Sequence, residues 1–232
     1  MKLEVLNLKK NFGNKEVLKN INFTFESGKI YGLLGRNGAG KTTFFNCLND
    51  DIKPDEGLFN MIEEKSTRPL TIDDIGYVLS TPTVPEFLTG REFLKFFLEI
   101  NEGKIENLKT IDEYFDFMKI EVEDRDKLLK DYSHGMKNKM QMLINIIANP
   151  KILLLDEPLT SLDVVVAEEM KEMLKSIKKE HILIFSTHIM DLALSLCDEI
   201  VVLKNGTLSL VDNNLKGEKL KEKIIEMLRE EE

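Results

Sequence analysis

The chain of 232 residues lacks the features of disulfide-bonded scaffolds, membrane spans and secreted precursors. Its two cysteines, Cys47 and Cys197, form no CxxC pair, which argues against a disulfide framework or a zinc site and predicts two small buried apolar residues. The longest apolar runs hold about four residues, whereas a membrane helix needs about twenty, so we expect no span. The start, MKLEVLNLKK, has no apolar h-region, which predicts that there is no signal peptide.

Positive charge is also in deficit. Thirty-two Lys and Arg stand against 41 Asp and Glu, so the net charge is -9. This balance argues against a nucleic acid partner bound over a broad face, because such a face must be basic. The hydrophobic share of 42% and the charged share of 31% are typical of a soluble globular protein. The length suits one large domain.

Short strand-like runs alternate with helical patterns, which predicts an α/β fold with parallel strands. KIYGLLG, KILLLDEP and HILIFSTH are nearly continuous apolar runs, as expected of strands buried on both faces. DEIVVLKNGTLSLVD predicts a hairpin that turns at Asn205 and Gly206. LEVLNLKKNFGNKEVLKNINFTF predicts short antiparallel strands. The sequence therefore predicts a mixed sheet core with an antiparallel β portion.

The middle of the chain is helical in pattern. Thr89 with Glu92, and Thr110 with Glu113, have the spacing of capping boxes. Apolar residues follow at helical spacing, and we interpret them as packing faces: Phe93, Phe96, Phe97 and Ile100; Tyr114, Phe117 and Met118; Met136, Met140, Leu143, Ile144 and Ile147. We predict one domain, 1–232, with a core lobe at 1–83 and 149–232 and a helical lobe at 84–148.

The acidic, lysine-rich end of the chain also has a helical pattern. Leu220, Ile224 and Leu228 stand at helical spacing within EKLKEKIIEMLREEE. We interpret this segment as a solvated terminal helix.

GRNGAGKTT fits the pattern G-x-x-x-x-G-K-[ST] between a predicted strand and a predicted helix, which is the context that supports a phosphate-binding loop. Glycines such as Gly35 and Gly40 let the backbone turn tightly and aim its N–H groups at phosphate oxygens. Lys41 can reach the β- and γ-phosphates, and Thr42 offers a hydroxyl to Mg²⁺. Thr43 can bond the α-phosphate region.

ILLLDE is the matching acidic strand. Its apolar residues carry the chain through the core and bring Asp156 to the carboxyl end, beside the phosphate loop. We predict that Asp156 holds the Mg²⁺ shell, and that Glu157 orients and polarises the attacking water.

The stretch YSHGM, residues 132–136, sets a serine beside a histidine just before a helical pattern. It could be a nucleophile with its base, or an anion cradle. Adjacent side chains at a helix N-terminus point apart, and no third orienting group is evident, which disfavours the nucleophile. A serine hydroxyl, backbone N–H groups and a helix N-terminus suit an anion.

Taken together, GRNGAGKTT, YSHGM, ILLLDE, PLTSLD and HILIFSTH resemble the ATP-binding cassette (ABC) family, the nucleotide-binding subunits of ABC transporters. The resemblance covers about residues 3–211, in the family's order. It implies a P-loop ATPase of the ABC type, with a mixed sheet, an antiparallel β portion and an inserted helical subdomain, that binds and hydrolyses ATP with Mg²⁺.

The resemblance also implies roles for single residues. YSHGM stands where the family has LSGGQ, keeping Ser133 and Gly135; in the family this segment closes on the γ-phosphate held by a partner cassette, head to tail. His188 matches the switch histidine, which contacts the γ-phosphate and the attacking water. Asp163, in PLTSLD, matches the D-loop at the dimer interface. His134 is interpreted as a solvated surface residue.

The resemblance further implies a set of nucleotide contacts. Phe12 matches the aromatic that stacks on adenine, although a core phenylalanine is the rival interpretation. Val17 is expected to wall the same pocket. The remaining predicted contacts are Asn37, Gly38, Ala39, Gly40, Lys41, Thr42 and Thr43.

One position departs from the family. Where the family has a metal-ligating glutamine, IGYVLSTP carries Ser80, whose hydroxyl is too short to copy a glutamine's reach. The only glutamine of the chain, Gln141, lies after the stretch YSHGM. We name Ser80, with Thr42 and Asp156, as a metal residue, and expect Lys41, Asp156, Glu157 and His188 to sustain hydrolysis.

The function implied is that of an ATPase subunit on the inner, cytoplasmic face of the cell membrane. It would pair with a second ATP-binding subunit, in a homodimer or a heterodimer, and drive a separately encoded permease. The permease would dock near residues 80–97, and the compact length favours export of a drug, peptide or antibiotic. A stand-alone ABC-type switch in DNA repair, translation or protein release is the alternative. A small-molecule kinase is disfavoured because no arginine-rich lid is visible.

Overall fold

The structure is a computed structural model that describes residues 1–64, 66–105, 108–160, 162–212 and 214–229. Within these ranges the helices are α1 Lys41–Leu48, α2 Gly90–Ile100, α3 Ile111–Phe117, α4 His134–Ile147, α5 Val164–Ile177, α6 Met190–Leu196 and α7 Glu218–Leu228. The strands are β1 Lys2–Phe12, β2 Lys15–Glu26, β3 Ile30–Leu34, β4 Glu56–Glu63, β5 Ser66–Pro69, β6 Ile75–Val78, β7 Ile152–Asp156, β8 Ile182–Thr187, β9 Glu199–Lys204 and β10 Thr207–Leu210.

These strands form two sheets. The smaller sheet is antiparallel in the order β2-β1-β4-β5, and the larger runs β10-β9-β3-β8-β7-β6. In the larger sheet β9, β3, β8, β7 and β6 are parallel, and β10 pairs antiparallel with β9 across the turn at Asn205 and Gly206. The predictions of an α/β fold, a mixed sheet and an antiparallel portion are confirmed. The opening strands, however, are 11 and 12 residues long rather than short.

The parallel arrangement decides where chemistry can occur. Strands β3, β8 and β7 are neighbours in the order of the sheet, and their carboxyl ends lie at one edge. Each is buried along its whole length. The segments that follow these strands, including the phosphate loop and Glu157, therefore meet at that edge.

Alternate residues of the larger sheet belong to two separate cores. Leu33, Leu154 and Ile184 pack toward α1 and the smaller sheet. Leu153 and Phe185, at the other parity, pack among the residues of α2 to α6. This period of two is the reason that strands covered on both faces are nearly continuous apolar runs.

The predicted helices of the middle region begin where their caps predict. Both capping boxes, Thr89 with Glu92 and Thr110 with Glu113, are formed. Not every residue of the first predicted stripe is packed: Phe93 is buried, but Phe96 is 53% exposed and Ile100 59% exposed. The interpretation of that stripe as core packing is therefore wrong for these two residues. The division into a core lobe and a helical lobe stays a prediction.

The terminal helix α7 is docked rather than solvated. Ile224 is fully buried, and it packs with Val202 and Ala193 of β9 and α6. Leu220 and Leu228 pack partly on the same cluster. The charged residues of α7 cover its outer face, so the composition alone suggested solvation.

Across the described residues, none of the helices combines the length and the apolarity that crossing a bilayer would require.

Candidate nucleotide and catalytic site

The phosphate loop, residues 35–42, joins β3 to α1. Gly40 has φ of +105° immediately before Lys41, the first residue of α1, and a Cβ there would lie 3.0 Å from Val17 Cγ1. Glycine is therefore required at this position for both conformation and space. The loop brings the N-terminal N–H groups of α1 to the edge of the sheet where β3, β8 and β7 end.

Lys41 is buried and bound by its own loop. Its Nζ donates to Gly35 O at 2.9 Å, and it lies 3.6 Å from Glu157 Oε1. The side chain is 7% exposed. The cation thus lies between the loop and the acidic strand end, where it can reach an anion bound by the loop.

Asp156 is held at both carboxylate oxygens. Thr42 Oγ1 donates to Asp156 Oδ2 at 2.9 Å, and Ser186 Oγ donates to Asp156 Oδ1 at 2.5 Å. Two of the residues predicted to serve Mg²⁺, Thr42 and Asp156, are therefore in direct contact. Sequence reasoning missed Ser186, although a serine inside the apolar run HILIFSTH was a visible signal.

Glu157 has a strained backbone, and its carboxylate lies between His188 and Lys41. Its φ is +48°, a conformation that costs a non-glycine residue about 1–2 kcal/mol. His188 Nδ1 lies 2.9 Å from Glu157 Oε2, and Lys41 approaches the other oxygen. Because a carboxylate only accepts hydrogen bonds, His188 carries a proton on Nδ1 in this contact. In the neutral imidazole, Nε2 is then free of a proton.

A cavity of about 340 Å³ opens onto the phosphate loop. Phe12, which is 48% exposed, and Val17 form part of its wall, so the interpretation of Phe12 as a core residue is wrong. The full lining is Phe12, Lys15, Val17, Asn37, Gly38, Gly40, Lys41, Thr42, Thr43 and Glu157. Ala39, also predicted, lines a neighbouring cavity of about 420 Å³.

The other predicted residues, among those that the structure describes, lie outside the lining of the 340 Å³ cavity. Ser133 is the N-cap of α4, where its Oγ accepts from Met136 N at 3.2 Å. Gly135 is buried, and a Cβ there would lie 3.3 Å from Val166 Cγ1. Asp163 caps α5 by accepting from the N–H of Val166. The signature segment, residues 132–136, thus packs against the start of α5.

The residues that follow β6 make a contact that the sequence did not predict. Ser80 is exposed and follows β6 by two residues. The side-chain amide of Gln141, buried in α4, faces the main chain of Leu79. With the amide oriented to satisfy both partners, its nitrogen donates to Leu79 O and its oxygen accepts from Leu79 N, each at 3.2 Å. Gln141, the only glutamine of the chain, therefore contacts the main chain of Leu79, the residue before Ser80. No motif indicated this contact.

The donor set at the strand end suits Mg²⁺. Within the described ranges no three His, Cys, Asp or Glu side chains gather as a metal cluster. Mg²⁺ in nucleotide sites needs only one or two carboxylates, with hydroxyl, water and phosphate oxygens completing its shell. Thr42 and Asp156, in contact at 2.9 Å, supply such hard oxygens. The residues present therefore fit this ion.

Tyr77, a residue with a perturbed pKa, lies beside the site. Burial, and the negative charge of Asp156, raise the pKa of the Tyr77 hydroxyl. Tyr77 donates to Asn46 Oδ1 at 3.0 Å. Tyr77 is therefore a neutral hydrogen-bond donor that ties β6 to α1 at all physiological pH values.

Comparison with known proteins agrees with this geometry. The family described as ABC transporter matches residues 18–160. An uncharacterized ABC transporter ATP-binding protein of Bacillus subtilis, YxlF, is 33% identical over 214 residues, covering 89% of this chain and 69% of that protein. The bacitracin transport ATP-binding protein BcrA of Enterococcus faecalis is 31% identical over 211 residues, covering 89% and 67%.

A solved structure of an ATP-binding subunit of an ABC transporter has the same fold, with a TM-score of 0.81 and 24% identity, covering 98% of this chain and 99% of that one. The ABC-type fold and the family implied by the sequence motifs are confirmed. The chain therefore belongs to the ABC transporter family, as an ATP-binding protein with ATPase activity.

Proposed function

We propose that this ATPase energises a separately encoded membrane permease, and that transport runs in the direction of export. Its partner in the catalytic cycle is a second ATP-binding subunit, arranged head to tail. The likeness to BcrA, a bacitracin transport ATP-binding protein, supports a small drug, peptide or antibiotic as cargo. The subunit would act on the cytoplasmic face of the cell membrane, because the permease supplies the membrane-spanning part.

One observation supports the catalytic assignment above all others. The phosphate loop after β3, Glu157 after β7 and His188 after β8 meet at one edge of the sheet, where Glu157 lies within ion-pair distance of Lys41 and within hydrogen-bonding distance of His188. A cation for phosphate, a carboxylate for water and an imidazole are thereby combined beside a cavity that can hold a nucleotide.

In this proposal each group has a separate task. Lys41 exchanges its bond to Gly35 O for the β- and γ-phosphate oxygens. Glu157 accepts a hydrogen bond from the attacking water and polarises it, and His188 holds the Glu157 carboxylate through Nδ1. Thr42 and Asp156 would hold Mg²⁺, which neutralises charge on the phosphates when bound.

The position of the signature segment supports a two-subunit site. Ser133 and Gly135 lie outside the lining of the nucleotide cavity described above and pack toward α5. Ser133 Oγ and the first N–H groups of α4 can serve an anion that arrives from another molecule. Asp163, at the start of α5, would lie beside that contact.

A stretch of exposed apolar residues supports the predicted docking region. Leu79 is 38% exposed, Phe87 79% and Phe96 53%, and Ile100 follows at 59%. Exposed aromatic residues in one segment are typical of a protein interface. We propose that the predicted region, residues 80–97, contacts the permease, together with Leu79 and Ile100 at its two ends.

Trapping the ATP-bound state tests the catalytic proposal. Glu157→Gln keeps the shape of the side chain but removes the charge that polarises water, so hydrolysis should fall about 10²–10⁴-fold. Size-exclusion chromatography with light scattering should then find a stable dimer in saturating MgATP. The control is Glu168→Gln, at a side chain that is 60% exposed. A Glu157→Gln protein that stays monomeric would contradict the head-to-tail proposal.

Co-purification from membranes tests the transporter proposal against the stand-alone switch. Mass spectrometry of the membrane complex should identify a permease, and Phe87→Ser should weaken its retention without changing ATPase activity in solution. Ile72→Ser, at a residue 61% exposed outside the segment, is the matched control. Recovery only in a cytosolic complex, with no membrane protein, would favour the stand-alone switch.

A further inference from the structure

Ser186 occupies a position between the two acidic groups of the site. It is fully buried near the end of β8, in a strand whose preceding residues are apolar. The register of the sheet pairs Ser186 directly with Asp156 of β7. Paired residues of adjacent strands point to the same face, so the hydroxyl and the carboxylate face α1 together.

The hydroxyl of Ser186 makes two hydrogen bonds with different tasks. It donates to Asp156 Oδ1 at 2.5 Å, and it accepts from the backbone N–H of Glu157 at 3.0 Å. One donor and one acceptor are what a serine hydroxyl can supply simultaneously. Asp156, through its carboxylate, and Glu157, through its backbone N–H, are therefore bound to the same buried hydroxyl.

The first bond orients Asp156. With Oδ1 engaged by Ser186, Oδ2 is the oxygen that faces Thr42, at 2.9 Å. This is the side on which the magnesium shell is proposed. Without the hydroxyl, rotation of the carboxylate would no longer be opposed by a donor on its inner side.

The second bond holds a backbone that is costly for its residue. Glu157 has φ of +48°, in the left-handed region, and its N–H has Ser186 Oγ as acceptor. The same backbone directs the Glu157 carboxylate toward His188, 2.9 Å away. Strained backbone of this kind persists only when the surrounding contacts hold it.

We propose that Ser186 is a positioning residue for ATP hydrolysis: one buried hydroxyl sets the metal-facing oxygen of Asp156 and the water-facing carboxylate of Glu157 together. This inference rests on the proposed roles of those two residues. Ser186 itself touches neither nucleotide nor water in the reaction. Its removal should therefore affect metal binding and turnover but leave metal-free nucleotide binding intact.

The test compares Ser186→Ala with Ser176→Ala, which removes a hydroxyl that donates to Met173 O in α5, away from the site. Loss of a group that orients metal ligands typically costs about 10–100-fold in metal affinity or activity. We expect kcat of Ser186→Ala to fall in that range. We also expect Mn²⁺ affinity, measured by electron paramagnetic resonance with ADP present, to fall about 10-fold or more. ATP affinity in EDTA should change less than about twofold.

A second variant strengthens the test. Ser186→Cys replaces the hydroxyl with a somewhat larger thiol that is only a weak donor and acceptor, so it should show the same defects in milder form. Melting temperatures report folding for each variant. Unchanged Mn²⁺ affinity and kcat in Ser186→Ala would overturn the proposal. So would a parallel loss of metal-free ATP binding, because that indicates a general structural defect.

Lys41→Ala separates this inference from the function on which it rests. Loss of hydrolysis in Lys41→Ala with a normal Ser186→Ala protein refutes only the positioning role. Full hydrolysis in Lys41→Ala refutes the assignment of the phosphate loop, and with it the proposed site.

Discussion

The contact between Gln141 and Leu79 should stabilise the fold, and the structure allows its contribution to the free energy of unfolding to be worked out. Gln141 lies in α4, is 4% exposed, and forms two hydrogen bonds of 3.2 Å with the main chain of Leu79. Gln141→Leu keeps nearly the same volume, so it removes these bonds without creating a cavity. At about 1 kcal/mol for each bond, the free energy of unfolding should fall by about 2 kcal/mol.

The exposure of Leu79 sets the lower and upper limits of this effect. Buried groups left without partners would raise the cost toward about 4 kcal/mol. Because Leu79 is 38% exposed, we expect water to replace part of the lost pairing, and the lower value is therefore the expected one. For a chain of this size, about 2 kcal/mol corresponds to a melting temperature lower by about 4–8 °C.

Differential scanning calorimetry and urea denaturation measure this loss. Met142→Leu is the matched control, because Met142 is the next residue of α4, is fully buried and changes without losing a hydrogen bond. If Gln141→Leu melts within about 1 °C of Met142→Leu, the amide pairing contributes nothing to stability and the reasoning is refuted. Gln141→Glu should be at least as destabilised, because a carboxylate cannot donate to Leu79 O.

Three further predictions concern other parts of the molecule. The Arg68 hydrogen bond lowers the pKa of Asp74 to about 2, so its stabilisation is complete above the unfolded pKa of about 3.9 and is lost as the pH falls through about 2; Asp74→Asn should cost about 1 kcal/mol in urea at pH 7 and clearly less near pH 2, and an equal cost at both would contradict this. Gly90→Ala would bring Cβ to 2.1 Å from Tyr132 Oη, so it should destabilise by about 1–3 kcal/mol in urea, and adding Tyr132→Phe should recover part of this, whereas no recovery would exclude that clash. Phe12→Ala should weaken ATP binding in a fluorescence titration by about 1–3 kcal/mol while Phe12→Trp preserves it, and equal affinities of all three proteins would exclude stacking.

The residues at the edge of the sheet where β3, β7 and β8 end show which parts of a site can be predicted from sequence. The spacing of the phosphate loop, and the acids after KILLLDEP, are local signals of backbone and side-chain chemistry. The parallel direction of the strands is then predicted by their nearly continuous apolar runs, which are typical of strands buried on both faces. Lys41 and Glu157 could therefore be named before their contacts were known, whereas His188 was named only through the family resemblance; the structure brings each of the three within 3.6 Å of another.

Ser186, Gln141 and α7 illustrate what could not be predicted. The bond from Ser186 to Asp156 joins residues 30 positions apart, and it depends on the register of β8 against β7. A shift of one residue would turn the hydroxyl to the opposite face. The pairing of Gln141 with Leu79 likewise depends on how α4 lies against β6.

By itself, the sequence determined the buried core strands, the capping boxes at Thr89 and Thr110, the phosphate loop and the acids after β7, because glycine turns, capping boxes and apolar periodicity act over a few residues. Only the tertiary structure decided that Phe12 stands exposed beside the nucleotide cavity, that Ile224 is buried and that one serine holds both acids. These outcomes depend on strand register and on packing between distant segments. Such packing is a property of the whole chain, and no short stretch of residues encodes it.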